Sequence, residues 1–135
     1  MNQAATRQQD FRTNYCRRFR ISFYISIISI FISILIILSI LDIVINPPTP
    51  TDLENIKDQQ WLYIKHLLMP FLALCLLIIH LIFFISFNVY LKKIVSFIGR
   101  NSAFYIALNV LSMPFGSIYV FFRIRKLAME KGIWL

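Results

Sequence analysis

If this chain did chemistry, His80 would be the first place to look for it. It stands within residues 67–91, LLMPFLALCLLIIHLIFFISFNVYL, which run twenty-five residues without a formal charge. Ionising a histidine at the centre of such a stretch is costly, and its ring can relay protons or bind a metal, so it is a functional candidate by default. Its surroundings favour neither role. One histidine makes no metal site, and no acid falls at a matching depth in the sequence. Asp42, Tyr105 and Tyr119 are further titratable groups in apolar sequence, and the six acids of the chain are dispersed. No metalloprotease, phosphate-loop, dinucleotide-binding or nucleophile-elbow pattern occurs, and three glycines are too few to build a loop that cradles a ligand. Cys16 and Cys75 lack metal-ligand spacing and lie too far apart in depth to pair. They read as small packing residues, with acylation of Cys16 the weaker alternative. We therefore expect a non-enzyme with no catalytic residue, cofactor or metal. His80 should be neutral and hydrogen-bonded to a serine, and Asp42, one turn from the end of its apolar run, should lie at the interface.

The elements that hold these residues read as membrane helices. At 1.5 Å per residue, twenty-five residues cross the roughly 30 Å hydrocarbon core of a bilayer. The seventeen Leu, Ile, Phe and Val residues of this stretch each favour insertion by about 0.3 kcal/mol or more, which outweighs the neutral His80 and Asn88. A chain of 135 residues that is 59% apolar and 16% aromatic has more apolar surface than a soluble domain of its size can hide. Its net charge of +8 sits in short clusters beside apolar runs, which fits membrane flanks and not a nucleic-acid surface. The expected fold is an all-α membrane protein of three hydrophobic helices, the third kinked or re-entrant, behind a basic amphipathic amino-terminal segment.

In order, residues 1–20 carry five arginines against Asp10, with Phe11, Tyr15 and Phe19 on one helical face. They suit a short helix on an anionic leaflet. Residues 21–45 form the first span, in which Ser22, Ser26, Ser29 and Ser33 make a narrow stripe. Small hydroxyl residues so spaced let another helix approach closely. Back-bonding of each serine to the carbonyl four residues earlier is the plainer account. Residues 46–61 are a proline-rich loop in which Asn46-Pro47-Pro48-Thr49-Pro50 stops the helix and Thr51-Asp52-Leu53-Glu54 caps the next. The second span, residues 62–91, is entered past the aromatic pair Trp61 and Tyr63. Pro70 should kink it. His66, Ala73 and His80 recur every seven residues along it, with Phe84 and Asn88 near the same side, and this face is the natural partner for the serine stripe. Lys92 and Lys93 close the span, and residues 92–102 turn into a third apolar stretch, residues 103–122, interrupted by Asn109, Ser112, Pro114, Gly116 and Ser117. A basic tail, residues 123–135, begins with Arg123, Arg125 and Lys126.

Five basic residues precede the first span, among them Arg17, Arg18 and Arg20 beside it; two more lie in or near the first loop. The amino terminus should therefore be cytoplasmic. Three full spans leave eight basic residues inside and six outside; re-entry at Pro114 and Gly116 leaves twelve inside and two outside. The charge rule favours re-entry, but so small a chain has little to bury irregular backbone with, so three spans are expected.

The short three-helix chain, the Phe87-Asn88 then Lys92-Lys93 ending of the second span and the Met113-Pro114-Phe115-Gly116 break in the third resemble the small inner-membrane immunity proteins that protect bacteria from pore-forming colicins, the E1 type in particular. The resemblance implies a protein of the inner membrane that meets a toxin's hydrophobic helices within the bilayer and keeps its pore shut. It would do so through faces carrying Ser26, Ser29, Ser33, His80, Asn88 and Pro114, since buried polar groups reject a helix that leaves them unpaired. Partners are then the lipid bilayer and toxin helices or another membrane protein, with self-association also compatible. Two alternatives are an accessory subunit of a larger membrane complex and a subunit of an oligomeric channel or transporter. No span lines up polar groups at every depth, which argues against the channel.

Overall fold

The computed structural model describes residues 12–46, 60–61 and 64–133, and every regular element among them is helical. α1 is Arg17–Ile45, α2 Met69–Ile98, α3 Ser102–Leu111 and α4 Phe115–Glu130. At 29 and 30 residues, α1 and α2 are about 44 and 45 Å long. Both are long and apolar enough to cross a membrane. Their isoleucine- and phenylalanine-rich sequence has no special helix propensity in water, but in an apolar medium only a helix satisfies every backbone group within the segment.

α1 does not begin at Ile21. A π-helical turn, Arg12–Cys16, runs directly into it, because nothing between Cys16 and Ile21 breaks a helix: no glycine or proline intervenes. Arg17, Arg18 and Arg20 thus lie within the helix and not in a segment before it. α2 likewise starts beyond a π-helical turn, Ile64–Leu68, with Pro70 at its second position. Proline has no N–H to give to the carbonyl four residues earlier, and the widened turn is the form that the expected kink takes. The Thr51–Glu54 cap and Tyr63 lie outside the described residues.

α2 continues past Lys92 and Lys93 to Ile98 and stops at Gly99. Gly99 has φ of +77°, and the Arg100 N–H bonds the Val95 carbonyl at 3.0 Å while that of Gly99 bonds Ser96 at 3.1 Å. That pair of bonds is a Schellman motif, which needs a residue at home in the left-handed region. Asn101 then caps α3, its side chain accepting from the Ala103 N–H at 3.0 Å.

The third apolar stretch is not one helix of spanning length. It is divided at Ser112–Pro114 into α3, of ten residues, and α4, of sixteen. The division is sharp: a Cβ placed on Gly116 would stand 2.7 Å from the Leu108 carbonyl oxygen and 2.8 Å from the Ser112 Cβ. In a straight helix residues eight apart are separated by about 12 Å of rise, so the chain has folded back here, and only glycine permits the approach. Proline at 114 removes a further donor from the turn.

The chain forms two compact units, one of residues 1–27 with 81–135 and the other of residues 28–80. The first has a large-residue core drawn from α1, α2 and α4. Phe23 stacks on Phe121 with ring centroids 3.9 Å apart and planes within 3°, and Phe19 lies between Phe87 at 4.8 Å and Phe121 at 5.5 Å. Cys16, Leu91, Ile94, Val95 and Ile124 close around them. Ile133, the residue after the second left-handed glycine, Gly132, packs into the same core. The second unit has no such core. Among its described residues only Ser29, Ser33, Ala73 and His80 are buried.

Candidate functional site

Within the first unit, α2, α3 and α4 are joined by a chain of hydrogen bonds. Ser117 Oγ donates to Asn109 Oδ1 at 2.6 Å, Asn109 Nδ2 donates to Asn88 Oδ1 at 2.8 Å, and Asn88 Nδ2 donates to the Phe84 carbonyl at 2.9 Å. Asn109 is fully buried and Ser117 nearly so. Each group is satisfied, which is the condition under which a polar network in apolar surroundings rigidifies a fold instead of weakening it. The network is also closed: its groups bond to one another, so it is built to hold the α3–α4 fold-back in place.

Of the residues expected to form a helix-packing or partner face, Asn88 is half-buried and belongs to this network, and Gly116 is buried at the fold-back. Pro114 is half-buried, while Ser112 is exposed and contributes through its backbone, which receives the Gly116 N–H. Asn109 and Ser117 are the residues that sequence reasoning used only as helix breakers. The signal for their pairing was present: they stand four residues to either side of Met113, and polar residues placed symmetrically about a fold-back come face to face.

The serine stripe is buried along its length, Ser22 and Ser26 in the first unit and Ser29 and Ser33 in the second. Ser33 is completely inaccessible, and its hydroxyl donates to the Ser29 carbonyl at 2.8 Å. The two accounts of the stripe are therefore both true of Ser33: it bonds back to its own helix and it sits on a closed face. Ser39 and Ser86, off these faces, make the same local bond to Leu35 and Ile82. Back-bonding alone does not set the stripe apart; burial does. On α2, Ala73 and His80, seven residues apart, are the buried positions of the second unit. Asp42 is exposed and accepts from Asn46 Nδ2 at 3.0 Å, a local pair at the end of the helix.

The expected interface residues are exposed where they are described: Arg17, Arg18, Arg20, Trp61, Lys92, Lys93, Arg123 and Lys126. Arg125 is the exception, half-buried with a buried Nε. In the first unit, Lys93 Nζ lies 4.6 Å from the centroid of the Tyr15 ring and Arg18 reaches the Tyr90 hydroxyl at 3.5 Å. These contacts tie the basic start of α1 to the lysine pair of α2. Among the described residues no three His, Cys, Asp or Glu side chains are grouped to hold a metal ion. What the described residues offer is closely fitted helix faces. No family model, curated protein or solved structure matches the chain.

Proposed function

We propose that this chain is a non-enzymatic membrane protein that acts by recognising another helix within the bilayer and, on the resemblance of its span endings and its Met113–Gly116 break, that this helix belongs to a pore-forming toxin to which the protein confers immunity. The observation that carries the membrane reading is the exposure of the second unit. Leu35 is 63% exposed, Val44 67% and Phe71 65%, and the buried positions among the described residues of that unit are serine, alanine and histidine. A core helix of a water-soluble protein does the reverse, hiding its large apolar residues and exposing its polar ones. In a bilayer, where lipid tails are as apolar as leucine, helices associate through small residues and shared hydrogen bonds, and large apolar side chains face outward.

The same reasoning gives a topology with both termini cytoplasmic in a bacterial inner membrane. The segment that was expected to be a third span enters as α3 and returns as α4, so that twelve of the fourteen basic residues lie on one side. The support is local: Phe121 of α4 stacks on Phe19 and Phe23, next to the arginines that open α1. Burial against α1 and α2, together with the Asn88–Asn109–Ser117 network, answers the objection that a small chain cannot shelter a re-entrant turn. A reporter active only in the cytoplasm, fused after Leu135, should be active; activity only of a periplasmic reporter would overturn this topology.

For the function, expression in a sensitive bacterium challenged with a panel of pore-forming toxins should give protection against at least one. No protection against any would leave an accessory subunit of a larger membrane complex as the better reading, since the exposed faces of α1 and α2 suit a resident partner equally well. The channel alternative is less well supported, because the Asn88–Asn109–Ser117 groups bond to one another and line no path.

A further inference from the structure

We propose that Arg17, Arg20 and Arg125 form a phosphate-binding pocket that takes the headgroup of an anionic phospholipid. The three arginines, from the start of α1 and the second half of α4, line one open cavity of the first unit, whose other walls are Ile21 and Tyr24. Three cations gathered in one cavity repel one another. Glu130 is the only Asp or Glu among the described residues of this unit, and five residues beyond Arg125 it stands about 140° around α4, away from them. Arg125 is half-buried, its Nε inaccessible and without a hydrogen-bond partner. A phosphate oxygen entering the cavity would meet the terminal N–H groups of the arginines. Arginine's planar fork matches phosphate oxygens two at a time, which a lysine cannot do.

The rest of the pocket points to a lipid as the source of that phosphate. Ile21 and Tyr24 present apolar surface beside the guanidinium groups, and the Tyr24 ring is held edge-on against Phe23 and Phe121. A cavity cationic at one part and apolar at another, at the head of a membrane-length helix, suits a molecule that is anionic above and aliphatic below. This inference rests on the membrane reading given above.

The test uses the full chain reconstituted in vesicles of phosphatidylcholine alone or mixed with phosphatidylglycerol. Alkaline-carbonate extraction comes first: a chain that is extracted defeats the membrane reading itself, whereas a chain that stays with the vesicles leaves the pocket to be judged alone. Released in mild detergent and weighed intact by native mass spectrometry, the wild type should retain phosphatidylglycerol in preference to phosphatidylcholine. R17Q/R20Q/R125Q should lose that retention by about tenfold, while R123Q/K126Q/K131Q, which removes as much charge from elsewhere in the same unit, should stay within about twofold. R125K keeps the charge and should still lose retention severalfold. Equal losses in the two triple variants, no lipid preference in an inserted wild type, or wild-type retention by R125K would each overturn the proposal. In a parallel arm, inorganic phosphate that raises the unfolding midpoint of the wild type but not of the pocket variant, with no lipid retained, would show a free phosphate to be the ligand and overturn the lipid assignment.

Discussion

The two units of this chain share α1 and α2 and differ in the large residues they bury. In the first, α1 contributes Phe19 and Phe23 to a stack with Phe87 and Phe121 as well as the buried Ser22 and Ser26, and the buried Asn109 and Ser117 are bonded to each other. In the second, α1 contributes Ser29 and Ser33 and α2 contributes Ala73 and His80, and the large apolar residues are outside. The first unit is organised around large rings in contact, with the Asn88–Asn109–Ser117 groups bonded to one another. The second, among its described residues, buries only small or polar side chains and leaves its large apolar ones outside. A helix can thus bury large residues along one part and small ones along another, with no change in secondary structure to mark the difference.

That contrast can be broken first at Phe121. Phe121→Ala removes the ring that stacks on Phe23 at 3.9 Å and faces Phe19 at 5.5 Å, a truncation of a buried phenylalanine expected to cost about 3–5 kcal/mol. Detergent-denaturant titration followed by far-UV helicity should show it; an unchanged midpoint would mean that the aromatic stack is not what holds the first unit. Next in size is Gly116→Ala, whose Cβ would meet the Leu108 carbonyl oxygen at 2.7 Å. Because backbone must move, a loss of about 1–3 kcal/mol is expected, and cysteine accessibility at position 111 or 115 should change with it. Wild-type stability in this variant would show that the fold-back is not so tight.

Asn109→Leu should cost about 1–3 kcal/mol, since it strands the Ser117 hydroxyl and the Asn88 amide oxygen in an apolar setting. The triple change Asn88→Leu, Asn109→Leu, Ser117→Ala should recover part of that loss by removing the stranded groups together. If the triple variant were worse than the single one by the sum of its parts, the network would not be acting as a unit. The smallest effect belongs to the second unit. Ser33→Ala loses one bond to its own helix, from the hydroxyl to the Ser29 carbonyl, and should change stability by less than about 1 kcal/mol. Ser29→Leu with Ser33→Leu, by contrast, fills a closed face and should weaken helix crosslinking or partner function well beyond the alanine change. Equal behaviour of the two would leave the seam without a packing role.

Much of this is legible in the sequence. The serine stripe follows from spacings of four, three and four at 100° per residue, and its burial agrees with the side it picks out. The break at Ser112–Gly116 follows from a proline and a glycine within an apolar run. Other features were not legible. That α1 begins at Arg17 and α2 ends at Gly99 was obscured by charge: basic residues mark where a helix leaves the hydrocarbon, not where its hydrogen bonding ends. The pairing of Asn88 with Asn109 spans 21 residues and passes through a turn whose angle no periodicity encodes.

What the sequence determined alone is that α1 and α2 are long and apolar enough to cross a membrane and which side of each helix is closed, because both depend on composition and on a fixed 3.6-residue period. What only the tertiary structure decided is how residues 102–133 pack. A proline and a glycine in an apolar run mark a break, and local chemistry alone does not say what the two halves pack against. The choice falls to contacts far apart in the chain: Ser117 on Asn109, Gly116 against the Leu108 carbonyl, Phe121 on Phe23 and Arg125 in one cavity with Arg17 and Arg20.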